Sequence, residues 1–432
     1  MSVQHPIFFQ DGQTDWAQLV QPQIVKSLQA LAQPASILAW RSHSLRSNFF
    51  WLAQAEAAGL PALPLRFELE RELGVLGDWQ WVQEIDDQVW VVSASQLAPA
   101  LQNCAYLNLS SGTSASRTIA FPGWGHLRSN AIACAEFFRW DSSDLYWCTF
   151  PFYAHAHELF SKPRYLGAPI LALQATEIET INQHLQDPDI RLHILTTPHI
   201  ASAFLARHLA PRHPHQVCFE LAGEYVAIGV VNRLRDQGFR TCISWGSAET
   251  TGVAIAVMEP RVAGCIGTPL PGYQLGTLTF QQEMNLHLEG EAIPPFLAND
   301  GQLRETLGRF TAKDLVVWDG NQLMFRGRSD RFLKFHGTYI DVALVEGWAK
   351  QVESVDNAFL ALVEHAAQTQ LVLFVQCVES KEWDGIRHHL AHEMLNQYGG
   401  IRLAVQIAPQ LAHTPTGKLI RDPHLQLKHL ES

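Results

Sequence analysis

Two segments near the carboxyl end of the chain carry charged side chains whose types and spacing could do chemistry. One runs from Gly327 to Gly337, reads GRSDRFLKFHG, and predicts a strand, a hinge and a second strand. The other runs from Thr414 to Arg421 and is a glycine-containing loop with one lysine, Lys418. A preorganised cation can stabilise negative charge that develops in a transition state. Because the two segments are far apart in the sequence, they can act together only if the fold brings them to one site.

A cluster of small and hydroxylated residues follows the apolar strand predicted at Asn103–Leu109. Small residues let the backbone approach a phosphate closely, and hydroxyl and backbone N–H groups donate hydrogen bonds to it. A plain surface turn has the same composition, so both interpretations stay open on this segment alone. The cluster comprises Ser110, Ser111, Gly112, Thr113 and Ser114, and it is followed by the cation of Arg117.

Two more polar turns follow predicted strands, and each contains a glutamate. The turn Ala222–Glu224 comes after the strand predicted at Cys218–Leu221, and on its own it indicates a simple strand-to-helix connection. The segment Trp245–Thr250 comes after the strand predicted at Arg240–Ser244 and contains Glu249. A carboxylate is the kind of ligand that Mg²⁺ prefers, whereas a glutamate that caps a helix is the alternative.

The elements that must position these motifs alternate between strand and helix from about Leu101 to Met258, with further strands predicted at Ala168–Leu173 and Leu192–Leu195. This order favours an α/β fold with a doubly wound, mostly parallel sheet, in which ligands bind beyond the carboxyl ends of the strands. From Tyr273 to Lys334, short strands with polar turns predict an antiparallel subdomain. We therefore predict a large N-terminal domain (residues 1–329) followed, after Asp330, by a small α+β C-terminal domain (residues 331–432) that carries the lysine loop.

Taken in order, these motifs resemble those of the adenylate-forming superfamily, which comprises acyl-CoA synthetases, peptide-synthetase adenylation domains and luciferases. The resemblance runs from about Asp11 to Asp422 and is to a short, stand-alone ligase for acyl or aryl acids. It implies an acid–thiol ligase that uses ATP and Mg²⁺ to convert a carboxylic acid into acyl-AMP with release of pyrophosphate. The acyl group then passes to a thiol of CoA or of the phosphopantetheine of an acyl carrier protein.

The resemblance also implies a role for each motif residue. Lys418 is catalytic and lies between the substrate carboxylate and the α-phosphate, while Glu249 is catalytic and holds the Mg²⁺ ion. Asp314 accepts hydrogen bonds from both ribose hydroxyls, and Asp330 is the hinge on which the C-terminal domain turns between the two half-reactions. Gly223 and Glu224 belong to a turn that lies beside the adenine. The residues implied to bind the nucleotide are Ser110, Ser111, Gly112, Thr113, Ser114, Arg117, Gly223, Glu224, Trp245, Gly246, Asp314 and Arg328.

The same resemblance outlines a substrate pocket. Relatives that activate amino acids usually carry an aspartate in the region of positions 152–157 to pair with the α-ammonium group, and this chain has none there. The substrate is therefore expected to be a non-amino carboxylic acid, either aryl or acyl, with o-succinylbenzoate as one specific possibility. The implied pocket residues are Phe152, Tyr153, His155, Ala222 and Thr250.

A catalytically degenerate family member, which binds a nucleotide or an acyl-adenylate without turnover, is the alternative. Two departures from the family pattern motivate it. Ala115 replaces the second glycine of the phosphate loop, and Ala248 replaces a threonine whose hydroxyl lies near the α-phosphate. Thr250 and Thr251 are the candidates to supply that hydroxyl instead.

The overall composition limits the partners. The chain has 31 basic and 42 acidic residues and a formal net charge of −11, whereas binding to nucleic acid or to an anionic membrane needs a basic excess. Its seven cysteines include no CxxC pair, which favours a reducing cytoplasm over a disulfide framework or a zinc site. The segment Met1–Gln10 lacks the features of a signal peptide. We expect a cytoplasmic enzyme whose partners are a small carboxylic acid and, as a candidate, an acyl carrier protein.

Overall fold

A mixed sheet of 13 strands runs through the larger part of the chain. The computed structural model describes residues 6–10, 12–65, 76–86, 88–109, 118–153, 162–174, 176–206, 209–299, 302–329, 332–335, 338–365, 368–399, 401–414 and 419–431. In spatial order the strands of the sheet are β16 (Tyr273–Leu275), β17 (Glu283–Gly290), β20 (Arg309–Trp318), β21 (Leu323–Arg328), β15 (Cys265–Pro269), β14 (Gly252–Met258), β13 (Arg240–Ser247), β12 (Val217–Leu221), β11 (Arg191–Thr196), β9 (Asp144–Cys148), β10 (Ile170–Leu171), β1 (Pro6–Phe9) and β2 (Gly12–Asp15).

Smaller sheets complete the strand content. One four-stranded sheet has the order β4 (Ala62–Leu65), β3 (Ser36–Arg41), β6 (Val89–Ser93) and β5 (Gln80–Asp86), and another has the order β19 (Gln302–Glu305), β18 (Phe296–Asn299), β8 (Thr118–Ala120) and β7 (Asn108–Leu109). Toward the carboxyl end lie the hairpin β22 (Phe332–Phe335) and β23 (Thr338–Asp341), and the three-stranded sheet β24 (Asn357–His365), β25 (Gln368–Gln376) and β26 (Leu403–Ala408).

Helices connect and cover these strands. Within the described residues, no helix is both long enough and apolar enough to cross a membrane. Residues 162–166 are helical, and the other helices are α1 (Trp16–Leu19), α2 (Pro22–Leu31), α3 (Leu45–Ala58), α4 (Ala98–Leu101), α5 (Trp124–Phe138), α6 (Ile178–His184), α7 (Pro198–Ala206), α8 (Ile228–Asp236), α9 (Val342–Lys350), α10 (Trp383–Tyr398) and α11 (Pro423–Glu431).

The middle of the large sheet is parallel, from β1 through β10, β9, β11 and β12 to β13. These strands are buried on both faces, which explains their continuous apolar runs. Phe219 and Leu221 of β12 face a cluster that includes Phe204 of α7 and Val230 of α8. From β13 onward the pairing is antiparallel. The parallel half therefore creates the strand-end edge at which the predicted turns after β12 and β13 lie.

The carboxyl-terminal strands and helices share a core of their own. Glu346 of α9, which is buried, binds Arg421 through two hydrogen bonds, Nη1–Oε1 at 2.6 Å and Nη2–Oε2 at 3.0 Å. Leu360 N donates to the same carboxylate at 3.0 Å. Because a buried carboxylate must be paired, these bonds fix the end of the chain after the lysine loop onto α9 and β24.

The predicted alternation of strands and helices is confirmed, with three corrections. The strand predicted at Asn103–Leu109 shrinks to β7, because the chain turns before it and Cys104 N bonds to Leu101 O at 3.2 Å. The strand predicted at Ala168–Leu173 shrinks to β10. The prediction also omits β9, a fully buried five-residue strand beside β11.

Candidate active site

The motifs predicted after β12 and β13 meet at one edge of the central sheet. These strands are parallel neighbours, with Leu221 opposite Ile243, so both run toward the same edge. The turn Ala222–Glu224 therefore lies beside the later part of β13, which contains Trp245–Gly246. Gly223 has a φ of 86°, a left-handed conformation that favours glycine and turns the chain as it leaves β12.

A short 3₁₀ turn, Ala248–Thr250, presents Glu249 at the end of β13. The hydroxyl of Thr250 accepts a hydrogen bond from Ser247 N (2.9 Å) and donates one to Gly252 O (2.7 Å). The turn is thus held from within, and Thr250 is fully buried. Glu249 is partly exposed and has no hydrogen-bond or ion-pair partner among the described residues. Its carboxylate is available to a cation, and the described residues contain no separate group of three metal-ligating side chains.

The predicted phosphate loop joins β7 to β8, which pair as a hairpin. β8, the strand that follows the loop in the sequence, contacts the Ala248–Thr250 turn. The loop residues Ser110, Ser111, Gly112, Thr113, Ser114 and Arg117 lie outside the described residues.

Asp314 and Arg328 form a second group of predicted site residues. They are opposite each other on the paired strands β20 and β21, and Arg328 Nη1 lies 3.5 Å from Asp314 Oδ1. The side chain of Asp314 is 14% exposed and that of Arg328 is 36% exposed. A hydrogen bond from Ser329 N to Lys313 O (2.7 Å) extends the strand pair beyond them. The structure therefore brings the predicted ribose-binding carboxylate next to the predicted arginine.

Two predicted pocket residues share one apolar cluster. Phe152 is buried and packs edge-on against Phe49, with ring centroids 5.3 Å apart. Ala222 packs against the same cluster at the end of β12. Tyr153 is half-buried, and His155 lies outside the described residues. An aromatic wall and a small side chain at a strand end are the features expected of a pocket for an acyl or aryl group.

A buried polar cluster lies on the same face of the sheet, below Ala222, and the sequence prediction missed it. Glu220 precedes Ala222 by two residues on β12, so their side chains share a face. The fully buried Glu220 binds His193 of β11, with 2.7 Å between Oε2 and Nε2. Trp140 Nε1 donates to His193 Nδ1 at 3.0 Å. Because an indole N–H can only donate, Nδ1 of His193 accepts the bond from Trp140, and Nε2 is the nitrogen that faces Glu220.

The carboxylate of Glu220 stays charged despite its burial. Burial works to raise its pKa, but the hydrogen bond from His193 and the positive charge of Lys162 hold the pKa below its usual value. Lys162 is itself 1% exposed. The signal for this cluster was a single glutamate inside the apolar strand Val217–Leu221, where a charged residue needs a partner.

The carboxyl-terminal part of the chain touches the Ala222–Glu224 turn directly. Asn357 Nδ2, at the start of β24, donates to Glu224 Oε2 at 3.1 Å. On the helix that follows the turn, Arg233 Nη2 lies 2.5 Å from Asp356 Oδ1. The predicted adenine turn is therefore supported by residues more than a hundred positions away.

His413, just before the lysine loop, also contacts the larger part of the chain. His413 and Leu419 form an antiparallel bridge that closes the loop. The ring of His413 stacks on that of His199 in α7, with centroids 3.7 Å apart. Lys418 and Asp330, the predicted catalytic lysine and hinge, lie outside the described residues.

No family model and no curated protein matches this chain. Solved structures do match it along nearly its whole length. O-succinylbenzoate coenzyme A synthetase from Bacillus subtilis, in complex with ATP and magnesium ion, has a TM-score of 0.72 at 15% identity, covering 98% of this chain and 96% of that chain. ATP-bound MatB from Rhodopseudomonas palustris has a TM-score of 0.71 at 15% identity, covering 98% and 96%. The chain has the fold of the adenylate-forming ligases.

A third example of this adenylate-forming fold is the anthranilate CoA ligase AuaEII in complex with anthranoyl-AMP. Its TM-score is 0.71 at 15% identity, and the match covers 99% of this chain and 93% of that chain. The α/β architecture expected from the sequence is thereby confirmed over the full length. At this identity the likeness shows the fold alone, so the role of each residue stays a prediction.

Proposed function

We propose that this protein uses Mg·ATP to convert a non-amino carboxylic acid, aryl or acyl, into acyl-AMP with release of pyrophosphate, and then transfers the acyl group to a thiol. One observation carries the proposal. The Gly223–Glu224 turn, the Glu249 turn and β8 come together at the carboxyl edge of the parallel sheet. Ligands of such sheets bind at that edge.

Each predicted residue then has a chemical task. Glu249 fits a Mg²⁺ ligand because its carboxylate has no partner among the described residues. The ion would neutralise charge on the phosphates. Asp314, with Arg328 beside it, accepts hydrogen bonds from the ribose hydroxyls. Lys418 contacts the acid and the α-phosphate, where its charge stabilises the transition state as the acyl–phosphate bond forms.

The transfer step calls for movement between two parts of the chain. We place the hinge at Asp330, between residues 1–329 and 331–432. Lys418 leaves the site after adenylation, and the thiol of CoA or of a carrier-protein phosphopantetheine takes its place. The hydrophobic clusters of the described residues support this division, because four of them lie within residues 1–329 and two within residues 331–432.

A buried carboxylate bears on the choice of acid. Glu220 shares a face of the chain with the predicted pocket residue Ala222, and Glu220 and Lys162 are both buried. These polar groups favour an acid with a polar substituent over a plain hydrocarbon chain. O-succinylbenzoate remains the specific candidate.

One observation favours the second candidate, a degenerate member that binds a nucleotide without turnover. Ala248 has no hydroxyl, and the Thr250 hydroxyl is used inside the turn. Thr251 Oγ1 is buried and has no hydrogen-bond partner among the residues that the structure describes. Thr251 is therefore the residue on which replacement of the lost hydroxyl depends.

Pyrophosphate exchange separates the two candidates. The purified protein is given Mg·ATP, labelled pyrophosphate and a panel of aryl and aliphatic acids that includes o-succinylbenzoate. Incorporation of label into ATP with one acid, and not without it, is expected. ATP binding by calorimetry without exchange for any acid would instead support the degenerate member.

A further inference from the structure

The side chain of Asn357 is held in one orientation by contacts on both sides of its amide. Its Oδ1 accepts a hydrogen bond from Ala358 N (2.9 Å), and its Nδ2 donates to Glu224 Oε2 (3.1 Å). Because the backbone N–H can only donate and the carboxylate can only accept, turning the amide around would lose both bonds. Asn357 is also buried. It therefore presents a fixed N–H donor to a carboxylate that lies 133 positions away.

Residues 350–357, which we call the carboxyl-terminal strip, contact the chain just after the Gly223–Glu224 turn and the helix that follows it. Lys350 Nζ lies 4.7 Å from the ring centroid of Tyr225, the residue that follows the turn. Asp356 pairs with Arg233 of α8, as described above. The strip thus contacts the connection between β12 and α8 at Tyr225 and the helix α8 itself at Arg233.

Close packing leaves the strip little freedom. A Cβ atom on Gly229, in α8, would lie 2.0 Å from Glu353 O, so only glycine allows the two backbones to approach this closely. Asn232 Nδ2 donates to Glu353 Oε1 at 2.8 Å. These contacts fix the position of the strip along α8, and so the position of Asn357 at the turn.

We propose that Asn357 is a positioning residue for the nucleotide. Through its hydrogen bond it holds Glu224 and the turn in the arrangement that binds adenine, so nucleotide affinity depends on the seating of the carboxyl-terminal strip. This proposal rests on the proposed function, because it takes the Gly223–Glu224 turn as part of the nucleotide site. A hydrogen bond to a charged acceptor is roughly twice as strong as a neutral one, which makes this bond the part of the strip that acts most directly on the turn.

The test is the variant Asn357→Asp, compared with Asn232→Asp. Asn357→Asp keeps the shape and the bond from Ala358 N, but it places a carboxylate against Glu224. Asn232→Asp places a carboxylate against Glu353 between the same two parts of the chain, away from the turn. We expect the Kd for ATP, measured by calorimetry, to rise about 10-fold in Asn357→Asp and to stay within about twofold of wild type in Asn232→Asp.

A second pair of variants keeps the test sharp if Asn357→Asp is poorly folded. Glu224→Gln together with Asn357→Asp restores a hydrogen bond with the donor on the other side. The combined variant should bind ATP at least as well as Glu224→Gln alone, and this comparison does not need the Asn357→Asp single variant. In exchange assays with a substrate acid, the KM for ATP should rise in Asn357→Asp, while kcat and the KM for the acid stay near wild type.

The outcomes separate this proposal from the proposed function. An unchanged Kd for ATP in Asn357→Asp, or an equal change in Asn232→Asp, would overturn the positioning role even if exchange is observed. A weakened Kd in Asn357→Asp alone, without exchange for any acid, would support the positioning role and overturn the ligase function. A wild-type protein without affinity for ATP would overturn both.

Discussion

At the scale of single residues, Asp314 shows how a strand pair can prepare a carboxylate for a ligand. Its side chain is mostly buried, and the guanidinium of Arg328 lies beside its carboxylate. Asp314→Ala should weaken ATP binding by about 1–3 kcal/mol, because the ribose hydroxyls lose their acceptor. Calorimetry on the folded variant measures this. Glu289→Ala is the matched control, since Glu289 also pairs with an arginine, Arg309, in the same sheet. Equal ATP affinities in the two variants would contradict the ribose role.

Lys418 carries the strongest prediction about the chemistry. Lys418→Ala should slow formation of acyl-AMP by about 10²–10³-fold, as the loss of one preorganised charge does in other enzymes. Transfer from pre-made acyl-AMP to the thiol should persist, because the lysine has then left the site. Rapid-quench measurement of each half-reaction gives the answer, with Lys428→Ala in α11 as a control for general effects of removing a lysine. Equal loss in both half-reactions would exclude the assigned role.

At the scale of elements, the contact between His413, just before the lysine loop, and His199 of α7 is sensitive to pH. Burial lowers the pKa of His413 to about 4, helped by the nearby His199 and His429 and opposed by its hydrogen bond to the Leu411 carbonyl. Burial also lowers the pKa of His199, against the attraction of Asp356. Both values lie below the usual value of about 6.5. The state in which the two rings are stacked therefore binds fewer protons than the unfolded chain. Its stability is complete above about pH 6.5 and is lost toward pH 4.

The corresponding experiment replaces one ring without removing the stack. His413→Phe should flatten the pH dependence of the free energy of unfolding between about pH 6.5 and 4, measured by urea titration. His392→Phe, on an exposed face of α10, is the control and should leave that dependence unchanged. Identical pH profiles for His413→Phe and wild type would mean that protonation of the stacked pair does not change the free energy of unfolding.

The same elements show what a sequence can and cannot predict. Strands β11, β12 and β13 were predicted because each is a short apolar run between helical patterns, and their parallel order follows from that alternation. The meeting of Glu224 and Glu249 at one edge follows from the same rule. The bond from Asn357 to Glu224 could not be predicted, because neither residue carries a periodic or compositional signal and only the tertiary fold brings them together. Glu220 was visible as a charge in an apolar strand, but its partners were not.

At the scale of the whole molecule, the contacts between the two parts of the chain set a condition on any rotation. The ion pair between Arg233 and Asp356, the bond from Asn357 to Glu224 and the His199–His413 stack all join one part to the other. Rotation about Asp330 would have to break them. Under the proposed rotation, the described arrangement is one of two, and the second would have to replace these contacts with others of similar free energy.

The hinge prediction follows from that condition. Asp330→Pro should fix φ near −65° and restrict the rotation, because the proline ring removes the torsional freedom that a hinge needs. Adenylation should then persist at close to the wild-type rate, while thioester formation falls sharply. Single-turnover kinetics of each half-reaction on the purified variant measure the two rates, and the Tm reports misfolding.

Asp319→Pro is unsuitable as a control, because Asp319 N donates to Gln322 O and proline would remove that bond. Asp330→Ala serves instead, since it removes the same carboxylate and keeps φ free. Loss of thioester formation in both variants would point to a role of the Asp330 carboxylate. Loss in the proline variant alone would point to rotation about this residue. Thioester formation at the wild-type rate in the proline variant would show that the two parts do not turn about Asp330.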